Sequence, residues 1–172
     1  MGFVRCSLYL IAVAAVMFGA GLHLPDFLLN AKFFIYVPYK WEKNGKIYEK
    51  IGINKWKDRV PDMSRLLPKK LLSKKLAESE ADKLPLLVRE TCRAEFVHKS
   101  EILLGLVCLV LWRGLGGVIM TAFWAAANMP FVIIQRYNRP RLVRLIDKLN
   151  KRNAAALVPD DEEEERETVK TN

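Results

Sequence analysis

The groups best able to move a proton are gathered in Arg89-Glu90-Thr91-Cys92-Arg93-Ala94-Glu95-Phe96-Val97-His98-Lys99-Ser100-Glu101. At about 100° per residue, a helix over this stretch sets Glu90, Glu95, His98 and Glu101 on one arc and turns Arg89 and Arg93 away from it. A carboxylate one turn from an imidazole orients the ring and stabilises its charged form, which is what a general base requires. His98 is thus the candidate base, with Glu95 or Glu90 as its orienting acid. The same spacing also fits an interfacial helix with ordinary i, i+3 and i, i+4 pairs. Acids at the edge of an apolar segment are costly without a use, and that favours chemistry.

Two further clusters could bind rather than react. In Asn128-Met-Pro-Phe-Val-Ile-Ile-Gln-Arg-Tyr-Asn-Arg-Pro-Arg141 an uncharged run breaks off into Gln135, Arg136, Tyr137, Asn138, Arg139 and Arg141. Guanidinium forks match phosphate or carboxylate, and amides and phenols both give and accept bonds to hydroxyls, so this boundary reads as an anion and polyol site. Arg and Tyr also anchor helix ends in the headgroup layer. Trp56-Lys57-Asp58-Arg59 beside Pro61 could hold a phosphate or form an interface anchor with a local ion pair, and the pattern leaves both open. Neither His23 nor His98 has a partner at metal-ligand spacing, and Cys6, Cys92 and Cys108 form no paired motif. No metal, cofactor or disulfide is expected.

These residues need elements to position them. Residues 6 to 22 and 114 to 135 carry no charge, and each approaches the ~20 apolar residues that cross a bilayer. The run 102 to 112 is shorter and needs borrowed flanks or a re-entrant path. The fold expected is mainly α and integral to the membrane, with three membrane segments at about 6–24, 97–112 and 115–135. The last two form a hairpin turning at Arg113-Gly-Leu-Gly-Gly117. Residues 1–153 then make one membrane-embedded domain, and 154–172 a disordered acidic tail.

Net charge is +9 although Asp160 to Glu167 is strongly acidic, so the body is more basic still. The cations lie beside apolar runs and no nucleic-acid signature accompanies them, so anionic lipid is the expected partner and nucleic acid is not. Positive-inside bias puts the N-terminus outside and the basic middle and C-terminal blocks in the cytoplasm. Asn44-Gly45 between aromatic and β-branched residues predicts a small β-hairpin at the cytoplasmic surface. Basic amphipathic helices on that surface are expected over 66–84 and from near Pro140, and a helix starting at Pro85 can run unbroken to Trp112.

The turn Gly45-x-x-Tyr48-Glu49 leading to Trp56-Lys57-Asp58-Arg59-x-Pro61, then Glu90-Thr-Cys-Arg-Ala-Glu95-x-x-His98, then Asn128-x-Pro130 with Gln135-Arg-Tyr-Asn-Arg-Pro-Arg141, resembles the glycosyl-4,4'-diaponeurosporenoate acyltransferase family. These are small bacterial membrane proteins named for the last step of staphyloxanthin synthesis. Lys99 stands where the family has an aromatic residue. The resemblance implies transfer of a long-chain acyl group, from acyl-CoA or acyl carrier protein, to a sugar hydroxyl of a membrane glycolipid such as a glycosylated carotenoid. It implies a multi-pass protein of the plasma membrane with its site facing the cytoplasm.

On that footing His98, Glu95 and Glu90 are the expected catalytic residues. Trp56, Lys57, Asp58, Arg59, Arg93, Asn128, Gln135, Arg136, Tyr137, Asn138, Arg139 and Arg141 are the expected substrate-binding residues. No Gly-x-Ser-x-Gly elbow is present, so direct attack by the hydroxyl is simpler than a covalent serine route. The competing expectation is a non-enzymatic lipid-binding or scaffold protein of the membrane.

Overall fold

The computed structural model describes residues 1–60 and 80–156. Helix α1 (Gly2–Leu22) leads into a loop of short 3-10 turns at Asp26–Leu29, Lys40–Glu42 and Lys46–Glu49. A single helical turn, α2 (Ile53–Trp56), and a further 3-10 turn at Lys57–Arg59 follow. The second half comprises α3 (Glu80–Gly105), the short α4 (Cys108–Leu111) and the long α5 (Leu115–Ala156).

α3 and α5 form an antiparallel hairpin, because Thr91 meets Arg139 while Gly105 meets Thr121. α1 runs antiparallel to α3 and α4. Its Phe3 ring lies edge-on to Trp112, its Cys6 and Leu10 pack on Cys108, and its Gly21 abuts Val97. Gly2 and Gly116 both lie against the Trp112 ring, where a Cβ on either would collide with it.

The helical leg expected to run unbroken to Trp112 is interrupted at Leu106-Val107, where the amides of Leu106 and Val107 bond three residues back instead of four. Carbonyls near the break find side-chain donors. Tyr9 donates to the Leu104 carbonyl at 3.0 Å, Thr121 to that of Gly105 at 3.2 Å and the Trp124 indole to that of Glu101 at 2.9 Å. In an apolar medium such satisfaction is what lets a helix break persist.

Among the described residues two helices, not three, are long and apolar enough to cross a membrane: Gly2–Leu22 and Leu115–Ala154. The expected third span fails that test because α3 carries its charges down to Glu101 and breaks soon after. Only 17% of each apolar window is buried, which is unlike the core helix of a soluble protein. α5 is about 63 Å long at ~1.5 Å per residue, twice a hydrocarbon core, so it must reach well beyond one. Pro130 and Pro140 lie inside it, and the separate surface helix expected from Pro140 is its continuation. α3 likewise begins at Glu80, ahead of Pro85. Of the basic helix expected over 66–84, residues up to 79 lie outside the described residues, as does the acidic tail from residue 157.

The expected β-hairpin is replaced by two 3-10 turns, and no strand occurs among the described residues. Lys43, Asn44 and Gly45 do take the positive φ that Asn-Gly favours (48°, 54° and 86°). The turn they make joins helical segments, however. An isolated two-stranded hairpin is marginal in water, whereas these turns close their own bonds, with Glu42 N–H to Tyr39 O and Gly45 N–H to Glu42 O both at 2.9 Å.

Candidate active site

Three-residue periodicity brings Glu42 and Tyr48 to the same side of the loop, and both turn toward the hairpin. Glu42 is 1% exposed and accepts bonds from the Tyr39 amide at 2.7 Å, from the Tyr48 hydroxyl and from Arg136. The Arg136 contact is bidentate, with Nε to Oε1 at 2.5 Å and Nη2 to Oε2 at 2.6 Å. The remaining N–H groups of Arg136 go to Glu95 at 2.7 Å and to the carbonyls of Ile35 and Val37 at 3.3 and 3.2 Å. Arg139 donates to Thr91 Oγ1, to the Thr91 and Tyr36 carbonyls and to Glu95. Lys99 completes the set, bonding Glu95 and, at 3.0 Å, the Ile35 carbonyl.

The loop is therefore tied to the hairpin through a buried cluster of two carboxylates and three cations. Burial alone would push the Glu42 carboxyl up. Bonds from Arg136, Tyr48 and the Tyr39 amide outweigh it and hold the group below the usual carboxylate range. Tyr36 stacks beneath the Arg139 guanidinium with its hydroxyl unpartnered among the described residues, and burial pushes that phenol up to about 12.

His98 stands beside this cluster, one turn along α3 from Glu95 and also facing α5. Its Nδ1 lies 2.8 Å from Asn128 Oδ1 and 3.4 Å from Glu101 Oε2, and its ring stacks on Phe131 at 4.4 Å. The Asn128 amide is itself oriented, since its Nδ2 donates to the Trp124 carbonyl at 3.0 Å. Asn128 Oδ1 is left to accept, so in the neutral ring Nδ1 is the donor and Nε2 the free acceptor. The acid beside His98 is thus Glu101, whereas Glu95 is committed to the arginines and exposed Glu90 pairs with Arg93 at 2.5 Å.

The other sequence candidates divide between two places. Tyr137 donates to Asn54 at 2.7 Å, and both Lys57 and Arg141 lie over its ring, with Arg141 also bonding Glu49. Trp56 packs on that same cluster. Asp58 and Arg59 are exposed, Gln135 and Asn138 are half-buried, and none of the four enters the Glu42–Arg136–Glu95 network. Arg136 and Arg139 have nearly all their donors engaged, which leaves them little capacity to grip a donor phosphate.

A cavity of about 390 Å³ lies between α3 and α5 under the loop. Ile102, Met129, Val132 and Ile133 form its apolar floor, and Tyr39, Trp41, Glu42, Tyr48, Lys99 and Arg136 form its roof. The His98 ring does not line it, but the next residue on α3, Lys99, does. Likewise Met129 lines it where Asn128 does not.

A sequence model described as glycosyl-4,4'-diaponeurosporenoate acyltransferase matches residues 30–148. A Staphylococcus aureus (strain USA300) protein of that name is 31% identical over 150 residues, covering 86% of this chain and 89% of its own. Its counterpart in strain N315 is 32% identical over the same shares. The chain belongs to the glycosyl-4,4'-diaponeurosporenoate acyltransferase family. It is therefore an acyltransferase, which sets aside the scaffold alternative. No solved structure matches the chain.

The stretch matched to this acyltransferase family takes in the whole polar cluster, from Ile35 to Arg141, while most of α1 lies before it. Sequence reasoning missed Glu42, Glu101 as the partner of His98, and the part played by Lys99. Counting outward from the Gly114 turn brings Asn128 to the level of the His98–Glu101 turn and would have paired them. Glu42 carried no comparable signal, because its partner is 94 residues away.

Proposed function

We propose that this acyltransferase moves a long-chain acyl group from a thioester, carried on coenzyme A or acyl carrier protein, to a sugar hydroxyl of a glycosylated carotenoid held in the membrane. The observation that carries the mechanism is the oriented His98. With Nδ1–H held by Asn128 beside the Glu101 carboxylate, Nε2 is the basic atom, and it makes no hydrogen bond among the described residues. In the step proposed, the sugar oxygen attacks the thioester carbonyl carbon as Nε2 takes the hydroxyl proton. The C–O bond forms, the C–S bond breaks, and the proton passes from His98 to the departing thiolate.

The arginines act at one remove. Arg136 and Arg139 hold the loop over the hairpin, so that Tyr39, Trp41 and Tyr48 roof the cavity beside His98. Lys57, Arg59 and Arg141, with Gln135 and Asn138, are the remaining groups proposed to meet donor phosphates or sugar hydroxyls. Arg93, paired with Glu90, is proposed as a further contact for the donor. Family membership supports the glycosyl carotenoid acceptor, because the relatives are named for it. Charge bias supports a site on the cytoplasmic side of the plasma membrane, since Arg136 to Arg152 and the middle block are both strongly basic.

Purified protein in lipid nanodiscs, given an acyl thioester and a glycosyl lipid, tests the base. His98→Ala is expected to lower kcat by roughly 10²–10⁴, and Asn128→Ala by less. A His98→Ala protein with undiminished kcat would remove the proposed base.

A further inference from the structure

A second cavity, also about 390 Å³, lies on the outer face of α3, and it shares Tyr39 and Lys99 with the first. These two side chains make a ridge with an apolar hollow on either side. Each volume falls near the lower end of the ~300–1,000 Å³ typical of small-ligand sites.

The hollows offer different chemistry. The one between α3 and α5 combines an apolar floor with Trp41, Tyr48 and Glu42 above it. The Tyr39 and Trp41 rings are nearly parallel at 8°, 6.1 Å apart, and more than half exposed. Flat, half-exposed aromatic faces with polar tips suit a sugar carried on a lipid tail. The outer hollow is walled by Phe34, Ile35, Phe96 and Leu103, with Ser100 as an added polar group. That lining suits a plain alkyl chain.

Transfer between two lipids requires both chains lodged side by side with their reacting ends at one place. Lys99 stands between the hollows with three N–H donors, of which one goes to Glu95 and one to the Ile35 carbonyl, leaving a third for substrate. We infer that the hollow between the helices holds the glycolipid acceptor and the outer hollow holds the acyl chain of the donor, with the Tyr39–Lys99 ridge separating the two chains. The assignment rests on the acyltransferase reading above.

Photolabelling in nanodiscs tests it without requiring turnover. The probes are an alkyl glucoside and an acyl-pantetheine thioester, each with a diazirine in its tail, and adducts are mapped by mass spectrometry. Ile102→Trp fills the hollow between the helices and Leu103→Trp the outer one. Glucoside adducts are expected on Met129 and Val132 and to be lost in Ile102→Trp. Acyl adducts are expected on Phe96 and Leu103, and in Leu103→Trp they are lost from Phe96 while glucoside labelling persists. Both labels in one hollow, or Trp variants that suppress both labels or neither, overturn the assignment. Partitioned labels with no ester formed from any acyl thioester would sink the acyltransferase reading and leave the two hollows standing. Ester formation with unpartitioned labels does the reverse.

Discussion

Replacing Arg136 with methionine should detach the loop from the hairpin. The side chain is 5% exposed and its N–H groups serve Glu42, Glu95 and two loop carbonyls, so no neighbour can take its place. Among the described residues it is the sole cation bonded to Glu42, which is 1% exposed. Removing one partner of such a buried pair costs about 3–5 kcal/mol, because the remaining charge stays out of water without compensation. Against a typical total of about 5–15 kcal/mol this is a large fraction. For a chain of this size it corresponds to a drop in Tm of about 6–20 °C. Arg136→Lys keeps the charge but not the fork, and should lose about 1–3 kcal/mol for partners left unmade. The double variant Arg136→Met/Glu42→Gln should be less destabilised than the sum of its parts, because the orphaned charge is gone. Thermal unfolding in detergent, read by tryptophan fluorescence, and limited proteolysis at Lys43 and Lys46 report the two effects. Arg136→Met within about 1 kcal/mol of the parent, or a strictly additive double variant, refutes the tie.

Acid should release the same loop. The folded Glu42 value lies below the unfolded one, so its contribution is complete above about pH 4.3 and is lost as pH falls through the lowered folded value. Cleavage at Lys43 and Lys46 after brief acid exposure should rise only below that point, and an equal rise between pH 7 and 5 contradicts the assignment. Gly45→Ala should cost about 1–2 kcal/mol, because φ is +86° and a Cβ would lie 3.2 Å from the Tyr137 carbonyl oxygen. An unchanged Tm would show that the loop does not press on α5 there. Arg141→Ala should cost about 0–1 kcal/mol, since its pair with Glu49 is substantially exposed. A loss as large as that of Arg136→Met would mean the two arginines have been ranked wrongly.

The hairpin was legible because it is written in local patterns: uncharged residues from Gly114 to Gln135, a glycine-rich turn at their start, and charges resuming at Arg136. The 3-10 loop was not. Aromatic and β-branched residues around Asn44-Gly45 carry a strand signal, and it is overridden because Glu42 bonds Arg136 across the fold while Tyr48 turns back to bond Glu42. Helical periodicity placed Glu90, Glu95, His98 and Glu101 on one arc but could not assign their partners. Those are decided by what α5 and the loop put opposite each of them. Arg136 and Arg139, one turn apart, claim Glu95, while Asn128 and Glu101 flank His98. The break at Leu106-Val107 was invisible for the same reason, since its carbonyls are satisfied by Tyr9 and Thr121 from other helices.

The most direct test of the acyl-transfer account is lipid mass spectrometry in a bacterial host that makes a glycosylated carotenoid but no acylated form of it. Expression of this chain should convert the pigment to a species heavier by one fatty acyl group and labile to mild base, and expression of His98→Ala at an equal level should not. An unchanged lipid profile with the parent chain, or the same ester from His98→Ala, would contradict it.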